Sequence, residues 1–340
     1  MIKHIILFLI IPLSIHSLES SSKRLAVFCH GFNNHAERFA DRHKNYAPEH
    51  DKSVRITFKH RQVCFGVIGK NTIKEALVEK EDQPTSFVSF SQGTTATLHY
   101  LGSKKDCSNI TSIVLIAPIA DPRDIIQNYS FMKYLYVPKW ISTRLLERSL
   151  THYDPRPGTP IAQIDKIIQT LPKDHPVIII HGTNDTTSPW EQGYKIAEAF
   201  YEQGHEAVYF IEHDGGHNQP YAAELLQRCK EEVAKLSPDL SKEDFKKEQR
   251  AIQDRLSDPE RIEIAKKIAA IYEKHGIAYD KKAFSSTEVA ENYLFKNQEQ
   301  HLLTKYQARQ SFLNIARVAA STALIGAFGF AAYFIKKRFF

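Results

Sequence analysis

The chain has 340 residues, 42% hydrophobic and 25% charged, with 45 basic against 39 acidic residues for a net charge of +6. That balance excludes general disorder, and no basic run interleaved with aromatics offers a groove for nucleic acid. Four cysteines with no Cys-x-x-Cys pair give neither a disulfide framework nor a zinc spacing, and read as buried thiols.

At the N-terminus Lys3 and His4 precede an apolar stretch from Ile5 to Ile15. Such a stretch is too short to cross about 30 Å of hydrocarbon as a helix. With the small polar residues after it, residues 1–20 are expected to form a signal peptide.

From Leu25 onward, short apolar runs alternate with helix-like stretches. The runs are "LAVFC" (25–29), then 54–58, 85–90, 112–118, 176–182 and 207–212. The helical stretches fall at about 34–46, 70–81, 92–102, 189–204 and 218–236. Continuous Val/Ile/Leu runs with helical crossovers predict an α/β domain over 21–236, its sheet mostly parallel and buried on both faces. Residues 121–175 break the rhythm with no strand and are expected to form a helical cap. The cap carries Tyr129, Phe131, Tyr134, Tyr136 and Trp140, rings that suit an apolar acyl chain and suit packing onto the body equally well.

After residue 236 the chain becomes charged and helix-forming, with Ser241 and Ser257 as candidate caps. Residues 237–311 read as a helical spacer or small helical domain, with a protein partner as a further reading. Val318–Ile335 carries no charge, so 312–335 is expected to be a transmembrane helix and 336–340, "KKRFF", a basic cytoplasmic tail. The expectation is an exported single-pass membrane protein, its body on the lumenal, periplasmic or extracellular side.

The chemistry starts at "FVSFSQG", where a strand ending at Phe90 meets a helix starting near Gln92. The junction forces Ser91 into a sharp turn that lifts its hydroxyl above the sheet. Positions two before and two after must be small; here they are Ser89 and Gly93. "HGF" after the first strand, at His30–Phe32, can aim the Phe32 N–H at an oxyanion, with the Gln92 N–H as second donor. Asp185 in "HGTND" can orient an imidazole, and His217 in "DGGH" sits in a glycine-bearing loop able to reach Ser91. Asp121 and Asp124 are substitute acids and His213 a substitute base.

These four motifs, "HGF", "SFSQG", "HGTND" and "DGGH", resemble the α/β-hydrolase superfamily, in the style of its serine-aminopeptidase and monoacylglycerol-lipase-like branch. The resemblance covers about 24–236 and departs from the family at Ser89, where glycine is usual. With the signal peptide running almost directly into "RLAVFC", the two leading strands of the full fold are not expected. It implies a Ser91–His217–Asp185 acyl-enzyme mechanism with no metal or cofactor. A carboxylic ester is the expected substrate, with a lipid or lipophilic acyl ester as its finer form. Amide or thioester hydrolysis, or an inactive binding module of the same fold at a membrane, are the alternatives.

Overall fold

The computed structural model describes residues 23–31, 35–58, 67–127, 141, 144, 158–217, 223–281 and 288–339. Among these, six strands form one sheet: β1 (Leu25–Cys29), β2 (Lys52–Ile56), β3 (Thr85–Phe90), β4 (Ile110–Ile116), β5 (Val177–Gly182) and β6 (Val208–His213). Their order is β2-β1-β3-β4-β5-β6, and every neighbouring pair is parallel. This sheet fits the α/β-hydrolase fold. The order turns about β1 and β3, so the loops leaving those two strands diverge and open a crevice at their carboxyl ends.

Successive strand residues point to opposite faces, and both faces are dry. On one, Val27, Phe87, Leu115, Ile179 and Phe210 pack under α2 (Val67–Leu77), α3 (Gln92–Leu101), the short α5 (Ile164–Ile168) and α6 (Trp190–Glu202), with the short α4 (Pro122–Gln127) lying between α3 and α5 in the chain. On the other, Phe28, Val88, Val114, Ile178 and Tyr209 meet Phe39 of α1 (Ala36–His43). Strand β4 ends two residues earlier than its apolar run, because Ala117 turns to φ +45° ahead of Pro118.

Beyond α7 (Ala223–Val233) lies the segment read as a spacer or small helical domain. It holds α8 (Lys242–Lys274) and the start of α9 (Phe295–Phe339). The Ser241 cap forms, its hydroxyl accepting the Asp244 N–H at 3.1 Å. The Ser257 cap does not. Its hydroxyl donates one turn back to the Gln253 carbonyl at 2.8 Å, and α8 continues through Pro259. The last turns of α8 cover the second face of the sheet with Ile264, Ala265, Ile268 and Tyr272. The Tyr272 hydroxyl donates to the Tyr46 carbonyl at 2.7 Å.

The C-terminal expectation is corrected. Among the described residues no helix is long and apolar enough to cross a membrane. That overturns the transmembrane helix at 312–335 and the single-pass localisation built on it, and leaves the membrane as partner through that helix without support. The apolar run belongs instead to α9, one continuous helix of 45 residues whose first half is polar and docks on the body through Phe295, Leu302 and Tyr306. Side chains from 324 onward, the signal peptide at 1–20, and the five cap rings from Tyr129 to Trp140 lie outside the described residues. So does Cys64; Cys29, Cys107 and Cys229 are free and buried.

Candidate active site

Strand β3 and helix α3 meet with no intervening residue except Ser91, which must reverse the chain alone. It does so at φ +50°, ψ −117°, a conformation costly for a residue with a side chain. The turn is held because the Ser91 N–H donates to the Ile116 carbonyl at 2.9 Å and its carbonyl accepts from the Thr94 N–H and hydroxyl, at 2.9 and 2.6 Å. The Thr94 oxygen also accepts the Ile119 N–H at 3.3 Å, tying the corner to the loop after β4.

The small flanking residues are explained by what surrounds them. A Cβ on Gly93 would lie 2.1 Å from the Cys29 carbonyl oxygen, so α3 can rest on β1 only with glycine there. Ser89 is different: it is fully buried, and its hydroxyl lies 2.7 Å from that of Thr97 on α3. Gly31 passes the corner from the other side. A Cβ on it would sit 3.1 Å from the Ser91 Cβ and only 2.7 Å from the edge of the Phe90 ring. The neighbouring His30 imidazole bonds the Gly31 carbonyl at 2.6 Å through Nδ1 and accepts the Phe58 N–H at 3.3 Å through Nε2.

Asp185 and His217 come from the loops after β5 and β6. His217 Nδ1–H donates to Asp185 Oδ2 at 2.7 Å, and its Nε2 lies 2.8 Å from the Ser91 hydroxyl, which donates to it. Phe90 packs beside the imidazole at 5.1 Å between ring centres. The other carboxylate oxygen, Oδ1, accepts the N–H groups of Thr187 and Ser188, both at 2.8 Å. Burial alone would raise the Asp185 pKa, but the hydrogen bonds from His181 and His217 outweigh it and hold the group well below the usual carboxylate range. Asp185 is therefore an anion aimed at one side of His217, and it fixes the tautomer whose Nε2 can take a proton from Ser91.

The substitutes are engaged elsewhere. Asp121 is gripped by Arg123, and Asp124 by Lys195 at 2.8 Å and Gln192 at 3.1 Å. His213 spends its Nδ1 accepting the Gly215 N–H at 3.0 Å, and burial pulls its pKa down to about 4. Of the two expected oxyanion donors, Gln92 is buried as the first residue of α3, and Phe32 lies outside the described residues.

Two contributors were not singled out from sequence. His181 is wholly buried at the end of β5, where it donates to the Ser188 carbonyl at 2.7 Å and lies 3.5 Å from Asp185 Oδ2. A histidine closing an apolar strand, in the same "HGTND" motif, was the available signal. Gln192 accepts the N–H groups of Ala120 and Asp121, each at 3.0 Å, and so anchors the loop after β4. Nothing local in the sequence points to it. Among the described residues no group of three or more His, Cys, Asp or Glu could hold a metal ion.

No family model and no curated protein matches the chain. Solved structures do resemble it, and all three that follow have low identity. An esterase of Pyrococcus furiosus is 15% identical, with 62% of this chain and 79% of that one covered at a TM-score of 0.39. A Thermus thermophilus protein is also 15% identical, over 64% of this chain and 92% of its own, at 0.38. The acylaminoacyl peptidase of Pyrococcus horikoshii is 14% identical over 59% of this chain and only 34% of its own, again at 0.38.

Proposed function

We propose that this chain is a serine hydrolase that cleaves a carboxylic ester through an acyl-enzyme on Ser91. The observation that carries the reading is the hydrogen-bonded line from Ser91 through His217 to Asp185, set at a strained strand-to-helix corner. In it His217 takes the hydroxyl proton as Ser91 attacks the acyl carbonyl, and Asp185 stabilises the imidazolium that results. The tetrahedral oxyanion is held by the N–H groups of Gln92 and Phe32. His217 then returns the proton to the leaving alcohol, and water activated by the same imidazole releases the acid. A lipophilic acyl group suits the aromatic sequence between Tyr129 and Trp140. The α/β domain of this enzyme is 21–236 with its cap at 121–175, and 237–311 is its helical extension.

The test is labelling with a fluorophosphonate probe, alongside turnover of esters, amides and thioesters matched in acyl chain. Wild type labels and turns over esters fastest, while Ser91→Ala does neither. Turnover that survives Ser91→Ala at more than about a tenth of wild type sinks the assignment, since losing a triad nucleophile costs on the order of 10⁴–10⁶.

A further inference from the structure

The loop that carries Asp185 is tied to the histidine loop along its backbone. Thr183 N–H donates to the His213 carbonyl at 2.8 Å, and Asn184 N–H to the Gly215 carbonyl at 3.2 Å. The Asn184 side-chain amide adds a bond to the Asp214 carbonyl at 2.6 Å. These ties make the two loops move as one piece. What holds that piece from outside comes from a distant part of the chain.

Helix α9 lies along α6 and β6. Leu302 is fully buried, Tyr306 stacks on Tyr194 at 4.7 Å, and Lys305 pairs with Glu212 at 2.5 Å while sitting 5.0 Å over the Trp190 ring. The next turn delivers Arg309. Its Nη2 donates to the Thr183 carbonyl at 2.7 Å across 126 residues of sequence. Its Nη1 lies 3.6 Å from Glu191, and the guanidinium sits 5.4 Å over Trp190.

We infer that Arg309 is a positioning residue, by which the C-terminal helix holds the Asp185 loop in register with His217; this rests on the hydrolase reading above. The guanidinium suits the task because its flat fork can serve a carbonyl and a carboxylate at once while stacking on a ring. The carbonyl it holds is two residues before Asp185, on the stretch whose N–H groups grip the histidine loop. Releasing it lets both loops drift from Ser91, and catalytic geometry tolerates only about half an ångström of drift. Arg309 touches neither Ser91, His217 nor Asp185 directly, so its effect falls on turnover and not on substrate binding.

The experiment uses the full chain, a p-nitrophenyl acyl ester and a fluorophosphonate probe. Arg309→Ala lowers kcat about tenfold with KM within about twofold of wild type, the size expected for losing one hydrogen bond from a charged donor. Arg309→Lys recovers part of the loss. Lys305→Ala removes a contact of the same helix that does not reach the Asp185 loop, and it keeps its kcat. Wild-type kcat in Arg309→Ala, or an equal fall in Lys305→Ala, overturns the inference. Should Arg309→Ala fail to fold, Arg309→Lys is read against Lys305→Ala by the same criterion. A wild type that does not label removes the hydrolase reading itself; one that labels, with Arg309→Ala labelling equally fast, removes the positioning role alone.

Discussion

The hydroxyls of Ser89 and Thr97 face each other at 2.7 Å, fully buried between β3 and α3. The bond gives Ser89 a use that glycine at the same place would not have. The two flanks of the corner therefore obey different rules: one must be small enough for a helix to pass, the other must be small and can also be polar. Ser89→Ala leaves the Thr97 hydroxyl short of a partner and should lower unfolding free energy by about 1–2 kcal/mol, with activity kept. Gly93→Ala should cost far more and abolish fluorophosphonate labelling, because its Cβ meets the Cys29 carbonyl at 2.1 Å. Denaturant titration and labelling of the two variants check both expectations.

Ser91 stores backbone strain at φ +50°. Ser91→Gly should therefore be inactive yet more stable than Ser91→Ala by about 1 kcal/mol, since glycine adopts that conformation freely. Thermal unfolding of the two inactive variants side by side measures the difference. Equal midpoints would mean that the corner is not strained.

Asp185→Asn should reduce kcat strongly, on the order of 10⁴-fold by analogy with other triads, because an amide can turn its N–H toward His217 and favour the wrong tautomer. Asp121→Asn and Asp124→Asn should leave kcat within about threefold, since losing an ion pair away from the reacting groups alters stability more than rate. Equal losses in all three would move the acid away from Asp185.

Acid should unfold the protein in two stages. His43, His99 and His213 are buried and their pKa values lie at about 3, 4 and 4. A histidine with a depressed folded pKa costs stability as the pH falls from its unfolded value of about 6.5 toward the folded one. The depressed Asp185 acts in a later window. Its contribution is complete above about pH 4 and is lost as the pH falls toward its folded pKa. Unfolding free energy followed from pH 7 to 3 should decline from about pH 6.5, and His99→Gln should flatten the first stage. An unchanged slope in that variant would discount His99.

Much of the domain was legible because its elements are local patterns. Residues 25–29 are an uninterrupted apolar run, residues 85–90 mix Phe and Val with small hydroxyl residues, and both are strands with those bounds; the order of Ser91, Asp185 and His217 can be read along the chain. The role of α8 was harder to see. Its stripe of Ile264, Ala265, Ile268, Ala269 and Tyr272 has helical spacing, but charged neighbours dilute it and suggest a spacer or small separate helical domain. Uncharged length at the C-terminus suggests a bilayer span, because hydropathy cannot see that the same helix begins as part of the body. The contact of Arg309 with Thr183 spans too much sequence for any spacing rule to reveal.

The two margins of the sheet are closed in unlike ways. Strand β2 leaves its rim to Lys52 and Arg55, whose charges discourage another strand from adding on. Strand β6 has apolar residues throughout its first half and no such guard. There Leu294 forms an antiparallel bridge to Tyr209, and the Gln298 amide donates to the Phe210 carbonyl at 3.2 Å. A chain ending before Ala290 would uncover a ready template for intermolecular pairing. Such a fragment should self-associate into β-rich aggregates even where its catalytic loops remain whole.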